Sequence, residues 1–290
     1  MYIPDFALHE AKSVQDASRL LAAHGPDARV LAGGTDLLVD LKSGRDRAGH
    51  VVSVRNIPEM QDIHLTDTGL TIGATATLAD LDAFVANLPA YRPIGDATGQ
   101  MASVQIRNMA TVGGNIGSAV PCADLPPILI AMQASVALVS ARGERTVPLA
   151  EFFVGPRETV RKADEVLTTI FVPTPTAPSG SAYARFALRD GNAIAVAGVA
   201  AGIELDDSET ITAARLSMSA VSPTPGLVAS AAEVLVGHPL TDSTLEAAAK
   251  AAAKAAQPIC DLRGSAEFRL EIVSVLTRRA VTKAHKRARR

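Results

Sequence analysis

Adjacent glycines mark two well-separated segments, Leu31-Ala-Gly-Gly-Thr-Asp-Leu-Leu38 and Thr111-Val-Gly-Gly-Asn-Ile-Gly117. In each, an apolar run gives way to small polar residues. Glycine at such a place admits positive φ and lets a ligand come within hydrogen-bonding distance of main-chain N–H groups. One such segment reads as a tight turn. Two with the same pattern predict a pair of backbone cradles around one long anionic ligand, and a dinucleotide pyrophosphate fits that description. Neither segment is G-x-G-x-x-G, and no G-x-x-x-x-G-K-[ST] occurs, so the common dinucleotide fingerprint and the P-loop are both excluded. Beside the second segment lie Gln105-Ile-Arg-Asn108 and Pro121-Cys-Ala-Asp124. Asn115 offers a carboxamide, Thr35 and Ser118 offer hydroxyls, and Asp124 either caps the helix it opens or accepts from a sugar or polyol hydroxyl. No paired carboxylates or Ser/His/Asp arrangement stands out, and the six histidines are scattered along the chain.

The elements that must hold these segments follow from pattern. Ser13-Val-Gln-Asp16 reads as a capping box opening a helix that Gly25 stops. Arg29–Ala32 is a strand running into the first glycine segment, a short helix follows over the apolar run from Leu37 to Leu41, and Val51–Val54 is a buried strand. This order predicts a small parallel βαβ unit over residues 1–55. Ile63–Leu65 and Leu70–Ala74, joined through Asp67-Thr-Gly69, read as an antiparallel hairpin. Thr77-Leu-Ala-Asp80 caps a helix through Val85. The second glycine segment reads as a loop. A helix from about Asp124 and strands Ser135–Ser140 and Val166–Val172 complete a second unit over residues 56–175. Pro173-Thr-Pro-Thr-Ala-Pro178 with Ser179-Gly180 is the linker candidate. Residues 176–290 read as strands Ala182–Leu188, Ala195–Leu205 and Ala213–Val221, followed by helices including Leu245–Ala256 and Ser265–Arg287.

Composition bounds the answer. The 290 residues carry a net charge of −2 and are 48% hydrophobic, which favours a packed protein over a nucleic-acid or membrane-surface binder. No apolar stretch reaches the ~18 residues of a membrane span. Met1-Tyr-Ile-Pro-Asp-Phe6 lacks the basic start and apolar core of a secretory signal. The two cysteines, Cys122 and Cys260, support neither a disulfide framework nor a four-ligand metal site. A reducing cytoplasm is the expected setting. Cys122 reads as a small packed residue and Cys260 as one buried between helices. The terminal run Lys283-Ala-His-Lys-Arg-Ala-Arg-Arg290 reads as a solvated helix end favoured by the helix dipole, or as a docking face for an acidic partner.

Three motifs together, Leu31-Ala-Gly-Gly-Thr-Asp36, Gln105-Ile-Arg-Asn-Met-Ala-Thr-Val-Gly-Gly-Asn115 and Ala123-Asp-Leu-Pro126, resemble the FAD-binding medium subunit of the molybdenum hydroxylases, such as xanthine dehydrogenase and aerobic carbon monoxide dehydrogenase. The resemblance spans the whole chain. It implies an α+β chain with the FAD-binding fold of the vanillyl-alcohol oxidase type, a small parallel βαβ unit plus an antiparallel sheet with helices. A C-terminal three-stranded sheet with a helical bundle follows.

The resemblance also implies FAD as cofactor. Ala32, Gly33, Gly34, Thr35, Asp36 and Leu37 would wrap its pyrophosphate through main-chain amides, and Thr111, Gly113, Gly114 and Asn115 would form the other half of the cradle. Asp124 would bind the ribitol side and Leu167 would touch the adenine or its ribose. Arg185 would be a further flavin contact, standing where the family often has lysine, so that a planar fork replaces a point ammonium. Leu188-Arg-Asp-Gly-Asn192 falls at the family's isoalloxazine loop.

The implied function is that of an electron-transferring subunit in a heterotrimer. Its partners are a large molybdenum-cofactor subunit and a small [2Fe–2S] subunit, the whole dimerised further. The cysteine-rich insertion that some relatives use for an extra iron–sulfur cluster is not expected here. A stand-alone FAD oxidase and a cofactor-free scaffold are the competing readings.

Overall fold

A computed structural model describes residues 3–175 and 178–290; the first two residues of the N-terminal segment and the middle of the proline joint lie outside the described residues. The chain opens with β1 (Ala7–Glu10), α1 (Val14–His24), β2 (Ala28–Leu31), α2 (Leu37–Ser43) and β3 (His50–Ser53). The three strands form a parallel sheet in the order β1-β3-β2. Strand β1 has no strong sequence signal: its residues, Ala7-Leu-His-Glu10, are mostly exposed. Ser13 accepts from the Asp16 amide to start α1, while the Asp16 carboxylate accepts from Lys12 N–H. Gly25, at φ 52°, ends the helix. The alternate faces of β3 enter different cores: Val52 joins Ala17 and Leu21 of α1, whereas Val51 packs with Leu41 and Ala48 on the α2 side.

The next region holds β4 (Ile63–Leu65), β5 (Gly69–Gly73), α3 (Leu78–Val85), α4 (Arg92–Thr98), α5 (Val104–Arg107), α6 (Val112–Gly117), α7 (Leu125–Ala131), β6 (Ser135–Ser140), β7 (Gly143–Pro148), β8 (Phe153–Gly155), β9 (Glu158–Thr159) and β10 (Val166–Pro173). Strands β4-β5-β10-β6-β7 make one antiparallel sheet. Thr77 and Asp80 form the capping box of α3. Residues 112–117, expected as a loop, are helical. Thr111 supplies the N-cap that two consecutive glycines could not supply for themselves. One apolar cluster runs from Ala11 to Val172 and also takes in Tyr183 and Ala200 of the C-terminal region; it unites the first two sheets, so α1 and the antiparallel sheet share a core.

The remainder contains β11 (Ser179–Ala187), β12 (Ala195–Leu205), β13 (Ile211–Ser219), β14 (Gly226–Leu227), α8 (Ala229–Glu233), α9 (Asp242–Ala255) and α10 (Ala266–Ala288). The three long strands form the meander, and the two-residue β14 adds a short edge beside β13. Helices α8, α9 and α10 cover it with a core of their own. Among the described residues, no helix is long and apolar enough to cross a membrane.

Backbone joins this region to the rest at close range. A Cβ at Gly202 of β12 would come to 2.7 Å from the Ala131 carbonyl at the end of α7. Charge joins it too. Asp96 of α4 accepts from Lys283 at 2.8 Å and from Arg287 at 2.6 Å, both on α10. Arg287 also donates to the Ser181 carbonyl. Part of the terminal basic run is therefore an internal clamp rather than a solvated helix end. Burial alone would raise the Asp96 carboxyl, but the hydrogen bonds from Arg287 and Lys283 hold it below its ordinary value. A depressed carboxylate contributes stability above its unfolded-state pKa and loses it as pH falls through the folded-state value. Asp96→Asn is expected to cost about 3 kcal/mol in urea unfolding at neutral pH, the low end for breaking a buried pair. The gap between variant and wild type should close as the pH is lowered into the acid range.

Candidate functional site

Strand β2 delivers the chain to Gly33 and Gly34, and α2 begins at Leu37. Only Gly34 of this pair takes a positive φ, 74°. Its carbonyl accepts from Leu38 N–H, closing the turn. The amides of Gly33, Gly34, Thr35, Asp36 and Leu37 meet no hydrogen-bond acceptor among the described residues. Asp36 stands at the N-cap of α2 but its carboxylate makes no capping bond. A run of main-chain donors thus faces outward from one turn, the arrangement that binds an anion.

The reason for Gly33 differs from its neighbour's. A Cβ there would overlap the Met109 carbonyl oxygen and sit 3.0 Å from the Ala110 Cα. Those residues lead directly into the second glycine segment. The first glycine segment therefore touches, backbone to backbone, the residues that lead into the second, which brings the two together at one place on the molecule.

The second segment is built differently from the expectation of a second donor loop. Neither Gly113 nor Gly114 has positive φ. Gly113 N–H donates to the Ala74 carbonyl, Gly114 N–H to Thr111 Oγ1 and Asn115 N–H to the Thr111 carbonyl. The amides are committed because α6 starts here and its N-terminus is threaded against residues 74–77. Gly113 is required by that threading, since a Cβ would meet the Ala74 Cβ and its carbonyl oxygen. Gly114 is exposed, and a Cβ there meets only the Thr111 hydroxyl, at 2.8 Å. What this segment leaves open is its surface at Gly114 and the Asn115 Oδ1, which is buried without a hydrogen-bond partner. A buried carboxamide oxygen left unpaired is costly unless something else donates to it.

A third element braces both. Arg157 lies between β8 and β9 with φ 65°. Its N–H donates to the Ala119 carbonyl just past α6, and its guanidinium pairs with the buried Asp40 of α2. The helix that follows the first glycine segment and the chain just past the second are thus held to one arginine. Nothing local in the sequence singles out Arg157, because its partners come from elsewhere in the chain.

Asp124 and Arg185 meet as well. The Asp124 side chain makes no helix cap. Instead Oδ1 accepts from the Tyr183 hydroxyl at 2.7 Å and Oδ2 from Arg185 at 2.9 Å, the side chains of the pair being 8% and 4% exposed. Arg185 also donates to the Gln100 and Ala193 carbonyls, at 2.9 and 2.8 Å. Its planar fork is spent on joining α4, α7 and the β11–β12 connection, a use that a lysine could not reproduce. Burial pushes the Asp124 carboxyl up, against the opposing pull of Arg185 and Tyr183. Burial beside that carboxylate holds the Tyr183 phenol well above its ordinary value, so it stays a donor. Each Asp124 oxygen retains a second lone pair. Tyr183 is the member of this group that the sequence did not announce; a tyrosine two residues before an arginine on a strand is a weak signal.

Leu167 is buried on β10 at a bulge between Leu167 and Thr169. Thr168 beside it accepts from Ala74 N–H, and Ala74 in turn accepts from Gly113, which sets this strand behind the second segment. Ala32 is half-buried where β2 ends. Asn192 N–H donates to the Ala102 carbonyl, so the 188–192 loop folds toward α5. Cys122 is half-buried, and burial pushes its thiol up. Cys260, expected between helices, is exposed instead: it follows the end of α9 in the irregular segment before α10, where its sulfur accepts from Ala266 N–H.

With this geometry in hand, comparison with known proteins is specific. Residues 4–175 match the family described as the FAD binding domain in molybdopterin dehydrogenase, and residues 181–284 match the CO dehydrogenase flavoprotein C-terminal domain. The chain is 35% identical over 286 residues to the xanthine dehydrogenase FAD-binding subunit of Escherichia coli O157:H7, covering 97% of this chain and 96% of that protein. It is 33% identical over 287 residues to the carbon monoxide dehydrogenase medium chain of Afipia carboxidovorans, covering 98% of each. A solved carbon monoxide dehydrogenase from Hydrogenophaga pseudoflava, lacking the Mo-pyranopterin moiety of its cofactor, contains a similar chain. That chain superposes with a TM-score of 0.94 at 33% identity over 99% of both.

The contact at Gly33 yields a direct test. Gly33→Ala forces a methyl group into a backbone carbonyl that has no rotamer to escape with. It should destabilise the chain by about 1–3 kcal/mol in denaturant unfolding.

Proposed function

The chain belongs to the FAD-binding subunit family of the molybdenum hydroxylases, and on that premise we propose how its two glycine segments and their braces serve an oxidoreductase complex. The protein binds FAD. The observation that carries the reading is the run of uncommitted amides from Gly33 to Leu37, seated by backbone contact against the approach to α6. Those amides and the N-terminal end of α2 would hold the pyrophosphate, with Ala32 leading in. Across from them Thr111, Gly113, Gly114 and Asn115 would supply a surface without bulk and one carboxamide oxygen in need of a donor. Asp124 would spend its remaining lone pairs on the ribitol side, and Leu167 would give an apolar contact toward the adenine. Arg185 acts through Asp124, holding that carboxylate in place.

FAD, when bound, supplies a redox centre able to exchange electrons singly or in pairs. The residues of this chain orient it and exclude water from its phosphate end. In the complex, the chain passes electrons from [2Fe–2S] clusters of a small partner subunit to an external acceptor, while a large subunit carries the molybdenum cofactor. The relatives named as subunits and medium chains support that assembly, and the two unbridged cysteines suit a reducing cytoplasm. A further pairing into a dimer of heterotrimers completes the reading. Units at 1–55, 56–175 and 176–290 fit the three main sheets.

Purified protein should show flavin absorption that dithionite bleaches, with about one FAD per chain. Gly114→Val should lose most of that flavin while changing stability by only about 1 kcal/mol, the worth of a disturbed N-cap. Full flavin occupancy in the variant would remove the second segment from the site. Expressed with its neighbouring reading frames, the chain should copurify with one larger and one smaller polypeptide; isolation as a flavin-loaded single chain that oxidises a substrate alone would favour a stand-alone oxidase.

A further inference from the structure

Three of the six histidines, scattered in sequence on either side of the first glycine segment, come together in space. His9 lies on β1, His24 ends α1 and His50 begins β3. In the register of the parallel sheet His50 faces Ala7, two residues before His9, so both side chains share the face that α1 covers. Farther along that face Val52 packs against Leu21 in the core. At the rim, the histidines take over from aliphatic packing.

Their nitrogens are close enough to share an ion. One ligand atom from each lies within 4.8 Å of the other two. His9 Nε2 and His50 Nδ1 are 3.0 Å apart. Two nitrogens bound at about 2.0–2.1 Å to one zinc ion stand roughly 2.9–3.4 Å from each other at angles from square to tetrahedral. The His24 and His50 rings stack at 3.6 Å and the His9 and His24 rings at 4.8 Å. Apart from the His9–His50 contact, no hydrogen bond to a carboxylate or carbonyl engages these rings among the described residues. All three are half-buried, which leaves solvent access for a further ligand.

We propose that His9, His24 and His50 form a three-imidazole site for a borderline divalent transition ion of the Zn²⁺ class, with water completing the coordination. Neutral imidazole suits such ions, and three histidines with one open position is an established zinc arrangement. The ion draws the rings out of their stack onto one point and ties β1, α1 and β3 together. That would stiffen the unit that carries the first glycine segment.

The test uses the untagged, flavin-loaded full chain, stripped with a chelator and titrated with Zn²⁺ alone by calorimetry. One saturable ion per chain is expected. The double variant His24→Ala/His50→Ala should weaken binding at least ~100-fold, beyond the 10–100-fold that changes outside the ligand shell produce. His238→Ala, at an exposed histidine elsewhere, should change nothing. Equal Zn²⁺ affinity in wild type and double variant, or no uptake near one equivalent, overturns the proposal. Should the double variant fold poorly, Co²⁺ added to the stripped wild type decides independently: visible bands of histidine-ligated cobalt support the site, and a spectrum unchanged from free Co²⁺ sinks it.

Discussion

The contact between Gly33 and the Met109 carbonyl is the constraint on which the site depends. It is backbone against backbone, so no side-chain rearrangement can relieve an intruding atom, and only glycine fits. Its effect is to fix the distance between two segments that the chain reaches from different sheets. The parallel sheet positions the first through β2. The antiparallel sheet positions the second through the 74–77 stretch that follows β5. Without the seat at Gly33 these would be an ordinary turn and a short helix start on neighbouring subdomains.

Buried charge extends the same logic outward. Arg157 holds α2 to the chain just past α6, Arg185 and Tyr183 hold Asp124, and Asp96 holds the end of α10. Asp40 and Asp124 are buried and Asp96 is half-buried, and each would be expensive alone; together with its partner it becomes a geometric specification. Two of the braces, at Asp124 and Asp96, join the C-terminal region to the rest, where the C-terminal helices have a core of their own and only Tyr183 and Ala200 of the meander enter the main apolar cluster. Charge and close backbone contact therefore add to a narrow apolar contact in specifying that junction.

Much of this was legible in the sequence, for identifiable reasons. Caps at Ser13 and Thr77, the Gly25 stop and the alternating apolar strands are local signals, and the elements they mark are present. The glycine segments were legible as a pair because their composition repeats. Their division of labour was not. Whether an amide in a glycine run is free or committed depends on what crosses it, and Ala74 and Ala76 lie over 30 residues away from α6 in sequence. Arg157, Tyr183 and the exposed position of Cys260 were illegible on the same ground, since each is defined by tertiary partners.

The structure accordingly assigns unlike tasks to segments that look alike. Donors cluster on the first, where the turn at Gly34 leaves the amides up to Leu37 outside any helix bond. The second has its amides consumed by the Thr111 cap and by residues 74 and 76, and what remains is an absence of bulk plus one carboxamide oxygen. A symmetrical pair of donor loops would overbind the diphosphate and do little for the rest of a long nucleotide. In the proposed function, one donor turn set against a lean, rigid helix start would grip the charge at a single point and leave the flanking surface to choose what is attached to it. Binding energy would then reside in the first segment and selectivity in the second, a partition that follows from where each glycine's missing Cβ would have gone.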